Sequence, residues 1–357
     1  MYKIPTKYMD NQPTEFIKKT KILISTGIYP PQIGGPSEYS KNLKNSLENQ
    51  GLKVSVKTYG KIERFLPMGL RHLYYFLKIL PSVISADYVI SLDTFSVGFP
   101  TMLASKIFRK KNVIRTGGDF LWEAYVERTT DLVLLRDFYK TSRKNWNYKE
   151  RLIFKLTNWT LRNVSAIIFS TEWQQNIFND AYDISKTRQF IIENFYGPRE
   201  QSKKENNPAK KVFIAGARPL KWKNLRLLQS VFEKVSLEHP EVVLDMSNLP
   251  YPQFLEKIRN CYAVALVSLG DISPNMILGA IRVEAPFILT KETGLYDRLK
   301  DIAIFVDPRD EKDIYEKIIW LLDEKNYLES KNKISRFNFE HSWGDMAREF
   351  IDIYKNI

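Results

Sequence analysis

Lys21-Ile-Leu-Ile-Ser-Thr26 is a short apolar run, and a loop rich in Gly and Pro follows it over residues 27–36. The next segment has apolar residues at the spacing of one helix face and ends at Gly51. Residues 52–56 then alternate between apolar and polar side chains, as a strand does. This strand–helix–strand order predicts a βαβ unit, which builds parallel sheets.

The same alternation continues along the chain. Further strands are predicted at residues 88–92, 112–115, 166–170, 211–215, 241–245, 262–267, 286–290 and 302–306, and helices at 224–238, 251–260 and after residue 273. Ser273 is predicted as the N-cap of the last of these helices, with Pro274 as its first residue. Residues 201–210 are polar without periodicity and are interpreted as a linker. The sequence therefore predicts an α/β protein with two doubly wound domains, residues 1–200 and 201–341.

The composition excludes several classes of protein. The 357 residues are 44% hydrophobic and 27% charged, which excludes collagen-like, low-complexity and largely disordered chains. No apolar run approaches the roughly 18 residues of a membrane-spanning helix, and the polar start lacks a signal-peptide core. Cys261 is the single cysteine, and the three histidines are too scattered to predict a metal site. We therefore expect a cytoplasmic protein without an internal disulfide.

The net charge of +13 is unevenly distributed. Residues 1–200 contain 30 Lys and Arg against 18 Asp and Glu, whereas residues 201–357 contain 24 against 23. The first half therefore either faces something anionic, such as nucleic acid, a membrane surface or a phosphorylated substrate, or has a basic surface without a dedicated partner.

Residues 62–80 form one candidate for such an anionic contact. Arg64, Arg71, His72 and Lys78 lie among apolar and aromatic residues in this stretch. It is interpreted either as a basic helix at a membrane interface or as a domain-surface helix whose cations extend their apolar stems to reach water. The cluster at residues 109–111 either adds to this contact or is a solvated turn.

Gly216-Ala-Arg-Pro-Leu-Lys-Trp-Lys-Asn224 lies between a predicted strand and the start of a predicted helix. Arg218 and Lys223 can converge there, where the helix dipole already favours an anion. Such a pair could neutralise a diphosphate leaving group, although two basic residues in a loop are more often solvated charges. Both side chains are expected to be exposed.

This stretch resembles the Gly-Arg-x-x-x-x-Lys-Gly loop of family 4 retaining glycosyltransferases. The resemblance implies the GT-B fold, in which two Rossmann-like domains face a central cleft. It also implies that Arg218 and Lys223 bind the diphosphate of a nucleotide-sugar donor. Trp222 is a common choice in the family, whereas Asn224 replaces the usual Gly.

Three further stretches of this chain occur in the same order along the sequence as their counterparts in that family. Residues 28–37 resemble its first-strand loop, where Gly34 and Gly35 let backbone amides approach the donor phosphate and the acceptor. Residues 191–194 resemble the segment that contributes Asn194 to the donor site. Residues 342–357 resemble the last helix, which crosses back onto the first domain. The resemblance thus implies an acceptor-side domain over residues 1–200 and a donor-binding domain over residues 201–341.

The family's Glu-x7-Glu motif is incomplete in this chain. Asp271 can replace the first Glu, which faces the donor sugar, but Gly279 cannot replace the second, which holds the ribose. Gly279→Glu is therefore predicted to tighten nucleotide binding. The remaining donor contacts expected in this segment are Ser273 and the backbone amides of Asn275, Met276 and Ile277.

A second departure lies at Gly118-Asp119, where many relatives have a His-Asp pair. Asp119 is then the candidate polar group near the anomeric carbon, and Trp122 and Glu123 shape the acceptor side. Alternatively, Trp122 packs in the core and Asp119 caps a helix.

The resemblance implies retaining hexosyl transfer from a UDP- or GDP-linked sugar to a hydroxyl acceptor, in the synthesis of a glycan, glycolipid or cell-surface polysaccharide. Arg218 and Lys223 would replace a divalent metal, and no cofactor is expected. The expected partners are the donor, a glycan or lipid-linked acceptor and an anionic membrane at its inner face.

Other functions remain open at this stage. The chain could be a catalytically weak GT-B protein that binds a lipid or a partner, or a sugar-nucleotide epimerase, which shares the architecture. Nucleic-acid binding is not expected, because no recognition module accompanies the positive charge.

Overall fold

The computed structural model describes residues 20–32, 34–200, 210–216, 219–247 and 251–357, without the side chains of residues 251 and 252. The chain forms two compact units. The first unit comprises the described residues up to Phe120, Asn147–Asn194 and Ser342–Ile357; the second comprises those of Leu121–Trp146 and Phe195–His341.

The strands and helices are named here in chain order. The strands are β1 (Lys21–Thr26), β2 (Lys53–Thr58), β3 (Tyr88–Ser91), β4 (Lys111–Arg115), β5 (Ala166–Phe169), β6 (Arg188–Ile191), β7 (Lys211–Ala215), β8 (Val242–Asp245), β9 (Ala263–Leu266), β10 (Phe287–Thr290) and β11 (Ile304–Val306). The helices are α1 (Gly35–Asn49), α2 (Lys61–Phe65), α3 (Met68–Ser85), α4 (Gly98–Ile107), α5 (Phe120–Arg128), α6 (Leu135–Thr141), α7 (Tyr148–Asn163), α8 (Glu172–Ala181), α9 (Leu225–Glu238), α10 (Tyr251–Asn260), α11 (Asn275–Arg282), α12 (Tyr296–Leu299), α13 (Glu311–Leu322), α14 (Glu324–Arg336) and α15 (Trp343–Asn356).

The first unit contains a parallel sheet with the strand order β2-β1-β3-β4-β5-β6. All four residues of β3 and of β5 are buried, as expected for parallel strands covered on both faces. The predicted strands are confirmed to within a few residues. The edge strand β6 was not predicted, because its sequence Arg-Gln-Phe-Ile is half polar and partly exposed.

Helix α15 packs against α1 within the first unit. It begins with a capping box in which Ser342 and Asp345 satisfy each other's backbone amides. The Trp343 ring lies edge-on to Tyr39 at 5.3 Å, and Phe350 is fully buried. The final helix therefore completes the core of the first unit.

The second unit contains a parallel sheet with the order β11-β10-β9-β7-β8. Neighbouring residues of its strands point to opposite faces. Phe213 packs with residues of α9 and α13 on one face, whereas Ile214 packs with residues of α11 on the other. An apolar core on each face of the sheet confirms the α/β, doubly wound prediction for this unit.

Residues 121–146, which include most of α5 and all of α6, group with the second unit although they lie between two strands of the first sheet. The contacts also divide the chain after Asn194 rather than after residue 200. The predicted domain of residues 1–200 did not separate residues 121–146 and 195–200 from the first unit. Their grouping with the second unit depends on tertiary contacts rather than on local sequence pattern. Within the described ranges, no helix is both long and apolar enough to cross a membrane.

Candidate functional site

Each sheet has one position where the chain reverses its direction of winding, between β1 and β3 in the first and between β7 and β9 in the second. Ligands of doubly wound sheets bind outside the carboxyl ends of the strands at such a position. In the second unit the loops after β7 and β9 flank it. These are the loops that contain Lys223 and Asp271.

The loop after β7 ends in a short 3₁₀ turn over Lys221–Lys223 and leads into α9. Asn224 follows with a left-handed φ of 58°, a conformation that Asn tolerates better than most residues. Its side-chain amide donates to the carbonyl oxygens of Val267 at 3.3 Å and Pro308 at 2.6 Å. Asn224 therefore meets the backbone requirement that a Gly would meet and also ties the loop to its neighbours. Arg218 lies outside the described residues.

Lys223 and Asp271 form an ion pair across the two loops, with 2.6 Å between Lys223 Nζ and Asp271 Oδ2. Their side chains are only 14% and 13% exposed, so the prediction of an exposed Lys223 was wrong. The ammonium also lies 4.3 Å from the ring centre of the buried Trp222. Because both charges are largely removed from water, each depends on the other as its counter-charge.

Backbone hydrogen bonds fix the position of Asp271. Its amide donates to Glu292 O at 2.9 Å, and its carbonyl oxygen accepts from the amide of Gly294. Leu269 N donates to Trp222 O at 2.9 Å. The loops after β7, β9 and β10 are thereby joined into one framework at the carboxyl edge of the second sheet.

Helix α11 begins with Pro274 as its N-cap, one residue later than predicted, and Ser273 is a half-buried residue before it. Ile277 N donates to Pro274 O at 3.0 Å. The Ile277 amide is thus already used inside the turn. Asn275 and Met276 remain as the first-turn amides of the predicted phosphate cradle.

Gly279 is buried and faces α10. A Cβ atom at this position would lie 3.1 Å from Leu255 Cδ2 and 3.5 Å from Ile258 Cδ1. A side chain here would therefore enter an apolar helix contact. The expectation that Gly279→Glu would restore a ribose ligand does not fit this geometry.

Glu292, in the loop after β10, was not identified from the sequence. It is 2% exposed, and its Oε1 accepts from Arg136 Nη2 at 3.0 Å. Its Oε2 has no hydrogen-bond partner among the described residues. Burial raises the pKa of Glu292 to about 6, despite the opposing effect of Arg136.

Residues 121–146 pack on the same loops. Leu135 N donates to Leu269 O at 3.2 Å, and Glu127 Oε1 accepts from the amide of Lys221 at 2.7 Å. Trp122 is buried, its Nε1 donates to Val133 O, and its ring lies 5.6 Å from that of Trp222. These contacts agree with the packing alternative for Trp122. Glu123 is half-buried on the same helix.

In the first unit the predicted residues occupy loops at the carboxyl ends of strands. Gly34 has a φ of 151° and Gly35 opens α1, in the loop after β1. Asp119 is 3% exposed and directly precedes α5. Asn194 accepts a hydrogen bond from the guanidinium of Arg115.

Arg115 is the second residue that sequence reasoning missed. Arg115 lies at the end of β4 and is 7% exposed. Its guanidinium donates to Ser170 Oγ at 2.8 Å and stacks 4.0 Å above the ring centre of Tyr39. The only feature of the sequence that could have identified Arg115 was the presence of a cation at the end of an apolar strand. Arg115 orients Asn194 and therefore bears on its predicted role at the donor.

Among the described residues, no group of three His, Cys, Asp or Glu side chains could hold a metal ion. Two ion pairs, Lys223–Asp271 and Arg136–Glu292, involve residues of the loops after β7, β9 and β10 at the carboxyl edge of the second sheet.

Known structures show where this architecture has been seen. HepE from Anabaena, in complex with UDP and glucose, is 14% identical and superposes with a TM-score of 0.63 over 95% of this chain and 100% of its own. The chain has the GT-B fold. Sucrose-phosphate synthase from Thermosynechococcus elongatus (10% identity, TM-score 0.68) and the UDP-forming trehalose-phosphate synthase from Burkholderia xenovorans (9%, 0.69) each cover 95% of this chain and 99% of their own. No family model matches the sequence, and no curated protein matches it.

The buried Glu292 predicts a specific pH dependence of stability. Because its folded pKa of about 6 lies above the ordinary value of 4.5, the folded state must ionise a buried carboxyl as the pH rises through 6. The free energy of unfolding of the wild type therefore falls as the pH rises from the unfolded to the folded pKa of Glu292. The free energy of unfolding of Glu292→Gln should exceed that of the wild type by about 1–2 kcal/mol at pH 8 and match it near pH 4. Thermal unfolding at both pH values measures this. Glu316→Gln, which removes an exposed carboxylate, is the control, and an equal effect of both variants would contradict the assignment.

Gly279→Glu is predicted to destabilise the second unit rather than to tighten nucleotide binding. The new carboxylate would enter the apolar contact with Leu255 and Ile258, at a cost of about 3 kcal/mol or more. Gly279→Ala is the control, because the end of the Leu255 side chain can move away and the change should stay within about 1 kcal/mol. Thermal unfolding and nucleotide titration distinguish these expectations. A stable Gly279→Glu protein with tighter binding would restore the ribose interpretation.

Proposed function

We propose that the protein transfers a sugar from a nucleotide diphosphate-sugar to a hydroxyl acceptor. The observation that carries this proposal is the Lys223–Asp271 pair at the reversal point of the second sheet. A cation and a carboxylate placed there by two separate loops suit a donor that combines an anionic diphosphate with a polar sugar. The GT-B fold supports the proposal, because the similar structures with this fold include enzymes named for sugar-phosphate synthesis.

In this proposal, the donor diphosphate takes the place of Asp271 as the counter-charge of Lys223. Arg218, five residues earlier in the same loop, is assigned as the second cation. The amides of Asn275 and Met276 add donors from the first turn of α11. The freed carboxylate of Asp271 is then available to a hydroxyl of the transferred sugar.

The proposed chemistry proceeds with retention at the anomeric carbon. The bond between that carbon and the diphosphate oxygen breaks while the acceptor oxygen bonds to the same face of the sugar. The acceptor proton passes to the departing phosphate oxygen, and Lys223 and Arg218 stabilise the charge left on the diphosphate. This sequence needs no protein nucleophile and assigns no step to a metal ion.

The donor and acceptor are assigned by chemical class. UDP-sugars are the first donors to test, because several of the similar structures are named for UDP or UDP-glucose; GDP-sugars are the second. The proposed acceptor is a glycan or a lipid-linked hydroxyl, and synthesis of a cell-surface polysaccharide is the proposed role. A further similar structure, from Listeria monocytogenes, is named as a UDP-N-acetylglucosamine 2-epimerase, so 2-epimerisation is the second activity to measure.

The test is hydrolysis and transfer with a panel of UDP- and GDP-sugars. Lys223→Gln keeps a long polar side chain beside Asp271 but removes the charge, and should lower turnover by about 10²- to 10³-fold. Arg218→Ala is expected to lower turnover on the same scale. Lys234→Ala, which removes an exposed lysine on α9, should leave turnover unchanged.

Three results would contradict the proposal. Full activity of Lys223→Gln would remove the diphosphate assignment, and epimerisation without transfer would favour the second activity. A rate abolished by EDTA and restored by Mn²⁺ or Mg²⁺ would overturn the metal-independent chemistry. Unfolding of each variant is recorded alongside, because loss of the Lys223 charge also leaves Asp271 with a weaker partner.

A further inference from the structure

Helix α3 of the first unit has apolar residues on both of its faces. Its inner face buries Tyr75, Ile79 and Val83. On its outer face, Leu70, Leu73 and Leu77 are each 56% exposed, and Ile84 is 49% exposed. The remaining residues of this outer stripe are Tyr74 and Pro81.

The outer stripe is continuous. Residues 70, 73, 77, 81 and 84 follow one another at intervals of three and four residues, and Tyr74 lies four residues after Leu70, so all of them share one side of the helix. From Leu70 to Ile84 the stripe extends about 21 Å at the usual rise per residue. A helix on the surface of a domain ordinarily turns polar residues outward, and single exposed apolar residues are common, but a stripe of this length marks an interaction surface.

Helix α2 extends this apolar surface. Phe65 is 88% exposed and Ile62 is 53% exposed. Pro67 separates α2 from α3, and the buried Glu63 joins the two helices by its ion pair with Lys78. Glu63 also accepts from the amide of Gly60 at 2.8 Å, which caps α2. The two helices are thus held together, and their exposed residues form what we call the α2–α3 face.

The charge on the α2–α3 face is positive. Residues 61–85 contain four Lys and Arg but a single acid, Glu63, which is 1% exposed and paired. Lys61 and Arg64 are exposed beside Phe65. The alternative of a domain-surface helix whose cations reach water accounts for Lys61 and Arg64 but not for the leucines that are exposed on α3.

We infer that the α2–α3 face docks on an anionic lipid bilayer. Leucines and a phenylalanine can enter the boundary between headgroups and acyl chains while lysine and arginine contact lipid phosphates. A symmetric contact with a second copy would bring the same cations of both copies together, which disfavours it. This surface belongs to the first unit and contains no residue assigned to sugar transfer, so the inference stands apart from the proposed function. If both hold, the acceptor is one that resides at a membrane.

The test is co-sedimentation with vesicles in the absence of any nucleotide sugar. The full chain should bind equimolar phosphatidylglycerol and phosphatidylcholine vesicles, bind pure phosphatidylcholine much less, and dissociate as NaCl rises from about 0.05 to about 0.5 M. The double variant Leu73→Glu with Leu77→Glu should bind at least about ten-fold less. Leu237→Glu with Leu328→Glu is the matched control, because those leucines are 84% and 52% exposed in the second unit.

A second measurement does not depend on the charged variants. Cys261 is the single cysteine and is buried, so a cysteine introduced at an exposed site can be labelled selectively. A polarity-sensitive dye on Leu77→Cys should shift to the blue with anionic vesicles, whereas the same dye on Leu237→Cys should not.

Three outcomes would overturn the inference: the full chain fails to bind anionic vesicles at low salt, it binds neutral vesicles equally well, or the double variant Leu73→Glu with Leu77→Glu binds anionic vesicles as well as the wild type does. A wild-type dimer that this variant converts to a monomer, without vesicle binding by either protein, would assign the face to self-association instead. Loss of sugar transfer in any variant does not bear on the result, since no substrate is present.

Discussion

The ion pair between Lys223 and Asp271 is the interaction on which the rest of the site depends. Two charges that are largely removed from water can be kept there only when each neutralises the other. The surrounding framework follows from this requirement. Backbone hydrogen bonds fix the loop that contains Asp271, and Asn224 fixes the loop that contains Lys223. A diphosphate that binds at this edge must compete with Asp271 for the ammonium, so ligand binding and release of the carboxylate are one event.

Much of the fold could be predicted because parallel strands buried on both faces have a strong local signature. The strand Lys211–Ala215 and the helix Tyr251–Asn260 were predicted with their observed limits. The strand Arg188–Ile191 was missed, since an edge strand with polar residues lacks that signature. The assignment of residues 121–146 to the second unit could not be predicted at all, because no local pattern encodes which sheet a connecting helix joins.

The position of a site residue was predictable where it follows from the residue's loop and not where it depends on packing. Lys223 and Asp271 follow two strands whose carboxyl ends meet at one edge, and the structure brings them together. Gly279 was misjudged, because the side of α11 that faces α10 is set by tertiary contacts. Glu292 and Arg115 were missed for the same reason: each is distinguished by burial, which a single charged letter in the sequence does not reveal.

The chain passes between the two units four times, at residues 120–121, 146–147, 194–195 and 341–342. On the ribosome, the first unit therefore cannot finish its core until α15 emerges, and α15 follows the whole of the second unit. A fragment ending near residue 200 would lack Phe350, and a fragment starting there would lack Arg136 and Glu127. A cut there would divide both units, so we expect them to fold only when they are made as one chain.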